Sequence, residues 1–467
     1  MSSASVEFKS QFLSKNLERL YHDYVSKSSA IGIDRINRQV FEKNLKREIE
    51  LVAKKAKDGS YRFSQYKEKL ISKGAGKPPR VISIPTYRDR ITLRACCNVL
   101  QSAFSDSINL KIPQMVIADI KTALSTEQYS FFIKVDVEKF YPSIDHDVLT
   151  NKLKSKIRKV QVVSLLQNAV RATTVPFPDK SKASEKKGVP QGLSISNVLA
   201  EIYLHKFDLQ MDSSQDVAYF RYVDDILILC KEHPDAVFAN LAVQLKDDYC
   251  LTVHPLSGSN SKSRVGNADD SFSFLGYHFS DRLASVKRES LTRLEESLAN
   301  IFTTYKYKRH GIMSEAIPQI DRMMKLNLAK TILFWRLNLR ITGCVFENAR
   351  KGWIFYFSQI DEQNINQLWS LDKTVERLLK RFDIEISPYK IKTFVRTFFE
   401  SHRKNPTGNG YIPNFDTVSV LEQRKILSQY FAVANLDHVP DDRVTEIFNQ
   451  KIRRVTQELE RDIQDLS

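Results

Sequence analysis

Cysteine is scarce in this chain, and what there is does not pair: Cys96, Cys97, Cys230, Cys250 and Cys344 are odd in number and contain no Cys-x-x-Cys spacing. Neither a disulfide framework nor a zinc ribbon fits that set, which points to a reducing compartment. Glycine (14) and proline (15) are too few for a collagen-like or linker-dominated polymer. No window approaches the roughly 18 consecutive apolar residues of a spanning helix. The opening MSSASVEFKSQFLSKNLERL puts charges where a secretory signal has an apolar stretch. A cytoplasmic protein with no membrane partner is the expectation. Acidic residues are in deficit, 55 against 71 Lys and Arg, a net charge of +16. Such a surplus attracts a polyanion, nucleic acid ahead of an anionic membrane. What remains is ordinary globular material, 42% hydrophobic and 27% charged. At about 150 residues per domain it suffices for two or three units.

No internal repeat or low-complexity tract interrupts the chain, so organisation is read from local patterns. Residues 10–60 carry apolar positions at helical spacing, as in Leu13, Leu17 and Leu20. Two extended segments around the basic loop GAGKPPR follow, and SFFIKVDV then reads as a strand ending in an acid. After a lysine-rich loop, GVPQGLSISNVLAEIYLHKFD opens a long amphipathic helix, VAYFRYVDDILILC is a hairpin, and SFSFLGYHF closes the region. From about Ala284 onward the chain reads as helix. The predicted division is an N-terminal helical region (1–60), a catalytic region (61–284), a helical segment (285–360) and a helical C-terminal region (361–467).

Asp-Asp pairs occur at 224 and 225, 247 and 248, 269 and 270, and 441 and 442, so context must separate them. Three sit in charged surroundings typical of solvated surface. Asp224 and Asp225 instead lie at the tip of a hairpin with apolar arms, where crowded carboxylates repel unless a cation compensates. Asp136 ends the strand FFIKVD. If strand and hairpin are neighbours in one antiparallel sheet, the acids converge and can hold two divalent ions for phosphoryl transfer. Hard cations prefer such oxygen ligands. Capping of the next helix is the alternative for Asp136.

The ordered blocks VDVEKFYPSID, GVPQGLSISN, FRYVDD, Ser261-Lys262-Ser263 and FLGY resemble the reverse transcriptases. The resemblance implies an α+β right-hand polymerase with fingers, a palm built on an antiparallel sheet and a helical thumb, followed by an all-helical C-terminal region. It implies an RNA-directed DNA polymerase that adds dNTPs using two Mg²⁺ or Mn²⁺ ions. Asp136, Asp224 and the carbonyl of Val137 would be metal ligands, with Asp225 a supporting acid. Lys262 would protonate the departing pyrophosphate. Lys77 and Arg80 would neutralise the triphosphate, Tyr141 would reject a ribose 2′-hydroxyl, and Gln191 and Gly192 would meet the incoming nucleotide. Phe274, Leu275, Gly276 and Tyr277 match the primer grip. Arg88 and Arg90 are candidates for the template backbone, an ordinary basic loop being the alternative.

Residues 322–351 hold Arg322, Lys325, Lys330, Arg336, Arg340, Arg350 and Lys351 against Glu347 alone, a basic helical face suited to tracking phosphates. Arg336 and Arg340 are its nucleic-acid candidates. No Cys-rich nuclease segment or RNase H acid set follows. The blocks and long helical tail look most like bacterial defence-associated reverse transcriptases of the abortive-infection and unknown-group lineages. That likeness implies anti-phage defence, an associated non-coding RNA as template, a DNA product and a homo-oligomer. Template-independent or protein-primed synthesis by the same site stays open, as does a non-catalytic nucleic-acid scaffold.

Overall fold

The computed structural model describes residues 3–72, 78–257 and 261–464. It is an α+β protein of two compact units, residues 1–112 with 126–268, and residues 113–125 with 269–467. The division falls at 268/269, ahead of the boundary expected near 284. Among the described residues no helix is long and apolar enough to cross a membrane.

In the first unit the helices Ser3–Gln11, Ser14–Leu20 and Leu45–Asp58 bury Phe8, Leu17 and Val52 in one core with Ile91 and Leu100 of the helix Tyr87–Ala103. The N-terminal helices therefore share the core of the sheet region rather than forming a body of their own. Gly59, at φ 80°, ends the 14-residue helix Leu45–Asp58 in the left-handed conformation that glycine tolerates. Strand β1 (Tyr66–Ile71) pairs antiparallel with β2 (Arg80–Ile84).

Four antiparallel strands build the main sheet. Strand β3 (Phe131–Asp136) precedes the short strand β4 (Thr174–Val175), which pairs parallel with β1. Strands β5 (Val217–Tyr222), β6 (Asp225–Cys230) and β7 (Arg264–Asn267) complete the sheet in the order β5-β6-β3-β7. Ile226, Leu227, Ile228 and Leu229 have no solvent exposure at all. A strand apolar on both faces belongs in the middle of a covered sheet, and β6 is there. The helices Ser196–Asp212 and Pro234–Tyr249 pack on β5 and β3.

The second unit begins with the meander β8 (Phe272–Phe274), β9 (Tyr277–Ser280) and β10 (Leu283–Val286). Two long helices follow, Arg288–Ser314 and Gln319–Thr342, whose short connection makes them antiparallel neighbours. A small hairpin, β11 (Cys344–Phe346) with β12 (Ala349–Lys351), interrupts the helical region. Glu347 and Asn348 at its tip both have positive φ (53° and 56°), as a two-residue hairpin turn matched to strand twist requires. Helices including Asn366–Arg381, Val420–Phe431 and Asp441–Gln464 complete the unit, and Ser419 and Glu422 form a reciprocal capping box at the second of these.

Candidate active site

Strand β3 ends on an acid and β6 begins on one, and the antiparallel register sets Asp136 directly opposite Asp225. On the other side Tyr222 pairs with Asp225, so Val223 and Asp224 alone make the turn. Asp224 is exposed at the tip, whereas Asp225 is half-buried. Burial, then the charges of Asp224 and Asp136, push the Asp225 carboxyl up to about 6, against the pull of Lys134 and Arg80. The three acids thus gather at one sheet edge, with Arg80 of β2 close enough to act on them.

Asp136 has further partners. Its backbone N–H donates to Ser263 Oγ (3.2 Å) and its carbonyl accepts from the His254 N–H (3.0 Å). Its Oδ1 lies 3.6 Å from Lys262 Nζ and 3.3 Å from His254 Nε2. His254 was not singled out by any motif. It arrives through the pairing of Val253 with Val137, which lays the segment after the helix Pro234–Tyr249 along the end of β3. Val137 itself is buried.

Tyr141 stands in the short helix Phe140–Ser143, entered through Lys139 at φ 45°. Its hydroxyl donates to Asn197 Oδ1 (2.7 Å), and burial followed by the charge of Asp224 pushes the phenol well above its ordinary range. Gln191 accepts the Ser83 N–H at its backbone oxygen (2.8 Å), stitching this loop to β2. A Cβ on Gly192 would lie 2.8 Å from Ile82 Cγ2, and φ there is 94°, so only glycine fits. Beside these residues a cavity of about 770 Å³ is lined by Tyr24, Arg94, Lys111, Gly192, Asn197 and Val223 among others. The Arg94 guanidinium stacks 3.8 Å from the Tyr24 ring centroid, and its buried Nε has no hydrogen-bond partner among the described residues.

The remaining candidates are distributed differently. Lys77 lies outside the described residues. Arg88 pairs with Glu48, and Arg90 donates to the carbonyls of Pro85 and Ala30. Arg336 pairs with Glu458 (2.9 Å). Arg340 is 9% exposed and donates to the carbonyls of Glu458 and Leu459, which ties its helix to Asp441–Gln464. In the second unit Leu275 (φ 45°) and Gly276 (φ 77°) form a two-residue turn between the buried Phe274 and Tyr277. Tyr356 Oη donates to the Leu275 carbonyl (2.8 Å), and Tyr277 Oη donates to the Tyr356 carbonyl.

Among the described residues no three His, Cys, Asp or Glu side chains close into a ready metal cage. The acid edge is instead an open donor set of the kind that hard cations share with substrate oxygens. Its like-charge crowding gives a stability signature. The raised carboxyl is protonated more readily in the folded than in the unfolded chain. Its stabilising contribution is therefore present below the ordinary Asp value near 4 and is lost as pH rises through about 6. Asp225→Asn, neutral throughout, is expected to melt above wild type near pH 8 without divalent ions, by roughly 1–2 kcal/mol after discounting for partial exposure, with the gap closing toward pH 4. Thermal melts across that range check it.

Residues 71–279 match the family described as reverse transcriptase (RNA-dependent DNA polymerase). The chain is 24% identical over 295 residues to protein YkfC of Escherichia coli K12, covering 53% of this chain and 74% of YkfC. It is 28% identical over 169 residues to the group II intron-encoded protein LtrA of Lactococcus lactis, covering 34% of this chain and only 27% of LtrA. Telomerase from Candida albicans aligns with a TM-score of 0.41 at 15% identity, over 92% of this chain and 70% of that one. Residues 71–279 thus have the sequence of a reverse transcriptase (RNA-dependent DNA polymerase) domain.

Proposed function

We propose that the chain adds dNTPs to a primer 3′-hydroxyl on an RNA template at the edge formed by Asp136, Asp224 and Asp225. The observation that carries the reading is the register of Asp136 against Asp225 beside the Asp224 turn, within a domain of reverse transcriptase sequence. Two Mg²⁺ or Mn²⁺ ions are the proposed cofactor, with Asp136, Asp224 and the Val137 carbonyl as holders and Asp225 in support. When bound, such ions activate the attacking hydroxyl and neutralise the leaving pyrophosphate. The donor set fits them, because the crowding that raises Asp225 is relieved by added positive charge.

The chain's own side chains supply the rest. Lys262, beside Asp136, gives the departing pyrophosphate its proton. Arg80 balances triphosphate charge, and Gln191 and Gly192 border the nucleotide. The cavity lined by Arg94, Tyr24 and Lys111 takes the template, a guanidinium stacked on an aromatic ring being a surface on which bases and phosphates both bind. Phe274 to Tyr277 hold the primer end.

Tyr141, tethered by Asn197, excludes the 2′-hydroxyl by its bulk. Tyr141→Ala is expected to lower the ratio of dNTP to ribonucleotide kcat/KM by about 10- to 100-fold, checked by single-nucleotide addition with each triphosphate. An unchanged ratio removes the gate assignment.

The likeness of the motif blocks to defence-associated lineages extends the proposal to anti-phage activity with a dedicated non-coding RNA. Cells carrying the wild-type chain should then plate phage less efficiently than cells carrying Asp224→Asn. Equal plating across a phage panel argues against that role while leaving the polymerase reading intact.

A further inference from the structure

We infer that Arg221 is the positioning residue of the catalytic turn: with Glu201 and Asp208 it clamps the Val223 carbonyl and so fixes the direction in which Asp224 and Asp225 are presented. This rests on the polymerase reading and adds to it a residue that touches none of the reacting groups.

Arg221 sits on β5 with its side chain 5% exposed. All five of its N–H groups are engaged. Nε donates to Asp208 Oδ1 (2.8 Å) and Nη2 to Asp208 Oδ2 (2.6 Å). Glu201 is met in the same two-pronged manner, Oε1 by Nη1 and Oε2 by Nη2, each at 3.0 Å. The remaining bond runs from Nη1 to the carbonyl of Val223 at 3.0 Å. Glu201 and Asp208 are two turns apart on the helix Ser196–Asp212 and so face the same way. Tyr219 Oη, also from β5, donates to Asp208 Oδ1 (2.8 Å).

Two features argue that this arrangement serves the turn rather than overall stability. A buried charge held by two part-buried ones is a poor way to glue a strand to a helix, since apolar residues of similar volume do as well or better. Meanwhile Val223, a β-branched residue, is held at φ 58° at a turn position where glycine is preferred. Such a conformation persists only when its surroundings over-determine it. The peptide joining Val223 to Asp224 sets ψ of Val223 and φ of Asp224, and its oxygen is the one Arg221 holds. Releasing it would swing the Asp224 carboxylate.

The test is Arg221→Lys in the full chain, which keeps the charge and loses the fork. Expected are a fall in kcat on the order of a hundredfold, as misplacement by about an ångström gives, and a dNTP KM changed by less than about threefold. Amide hydrogen exchange, which needs no catalysis, is expected to speed up at 222–225 while the middle of β6 keeps its protection. Val223→Gly, which relieves the strain, is expected to shrink the loss caused by Arg221→Lys when the two are combined. Should the lysine variant not fold, Glu201→Gln carries the same three readouts with a smaller loss, about tenfold. Wild-type kcat and wild-type exchange at the turn in a folded variant overturn the inference, as does a loss of the same size with or without Val223→Gly. A wild-type chain that incorporates nothing defeats the polymerase reading, whereas the exchange result still decides whether Arg221 holds the turn.

Discussion

Asp224→Asn is expected to reduce nucleotide addition by about a thousandfold or more while leaving the fold intact. The substitution keeps the volume and the turn, since Asn suits hairpin tips as Asp does, but removes one of the charges proposed to hold the divalent ions. Charge stabilisation of several kcal/mol at a transferring phosphoryl group corresponds to a rate loss of that order. Asp224 is exposed, so no core packing changes. Its charge also raises Asp225, so the variant is expected to melt at or slightly above the wild-type temperature. Asp247→Asn, in another Asp-Asp pair on the exposed side of the helix Pro234–Tyr249, is expected to retain full activity. Incorporation kinetics together with melting curves for the two variants check both halves. Equal losses in the two would mean that the hairpin has no special role.

Gly276→Ala is expected to cost about 3 kcal/mol of stability in the second unit. A Cβ there would lie 1.5 Å from Tyr356 Oη, at a backbone φ of 77°. Left-handed placement of a non-glycine residue costs roughly 1–2 kcal/mol, and breaking the Tyr356 to Leu275 hydrogen bond about 1 more. Tyr356 has little room to yield. It is 5% exposed and packs edge-on against Trp353 and beside Tyr277, with ring centroids 5.6 and 5.5 Å away. Gly311 is the control: it lies in the helix Arg288–Ser314 with nothing within 4 Å of an added Cβ. Gly311→Ala is expected to stabilise by about 0.5–1 kcal/mol. Thermal unfolding of both variants, followed by primer-extension assays at a temperature where Gly276→Ala remains folded, separates loss of stability from loss of primer handling.

The acid edge was legible because each acid sits at a local landmark, a strand end or a two-residue hairpin tip, and antiparallel pairing does the rest. Long-range partners carry no such mark. His254 reaches Asp136 only through the pairing of Val137 with Val253, and the Glu201 and Asp208 clamp on Arg221 depends on how a helix lies over a sheet. Basic side chains are hard to place for a related reason: their aliphatic stems pack equally well in either setting, so a run of Arg and Lys looks alike whether it faces solvent or, as with Arg340, ties helices together. The FLGY turn is likewise anchored by a residue no local pattern marks, Tyr356, about 80 positions further on. A short hairpin such as β11–β12 is hard to see in a helical region, since three-residue strands have almost no period to read.

Template-programmed incorporation tests the central claim most directly: the purified chain, a primer annealed to RNA of defined sequence, Mg²⁺, and each dNTP and ribonucleotide supplied alone. The account predicts addition of only the dNTP complementary to the next template base, lost with Asp224→Asn. Addition that ignores the template sequence, a preference for ribonucleotides, or full activity in the variant would contradict it.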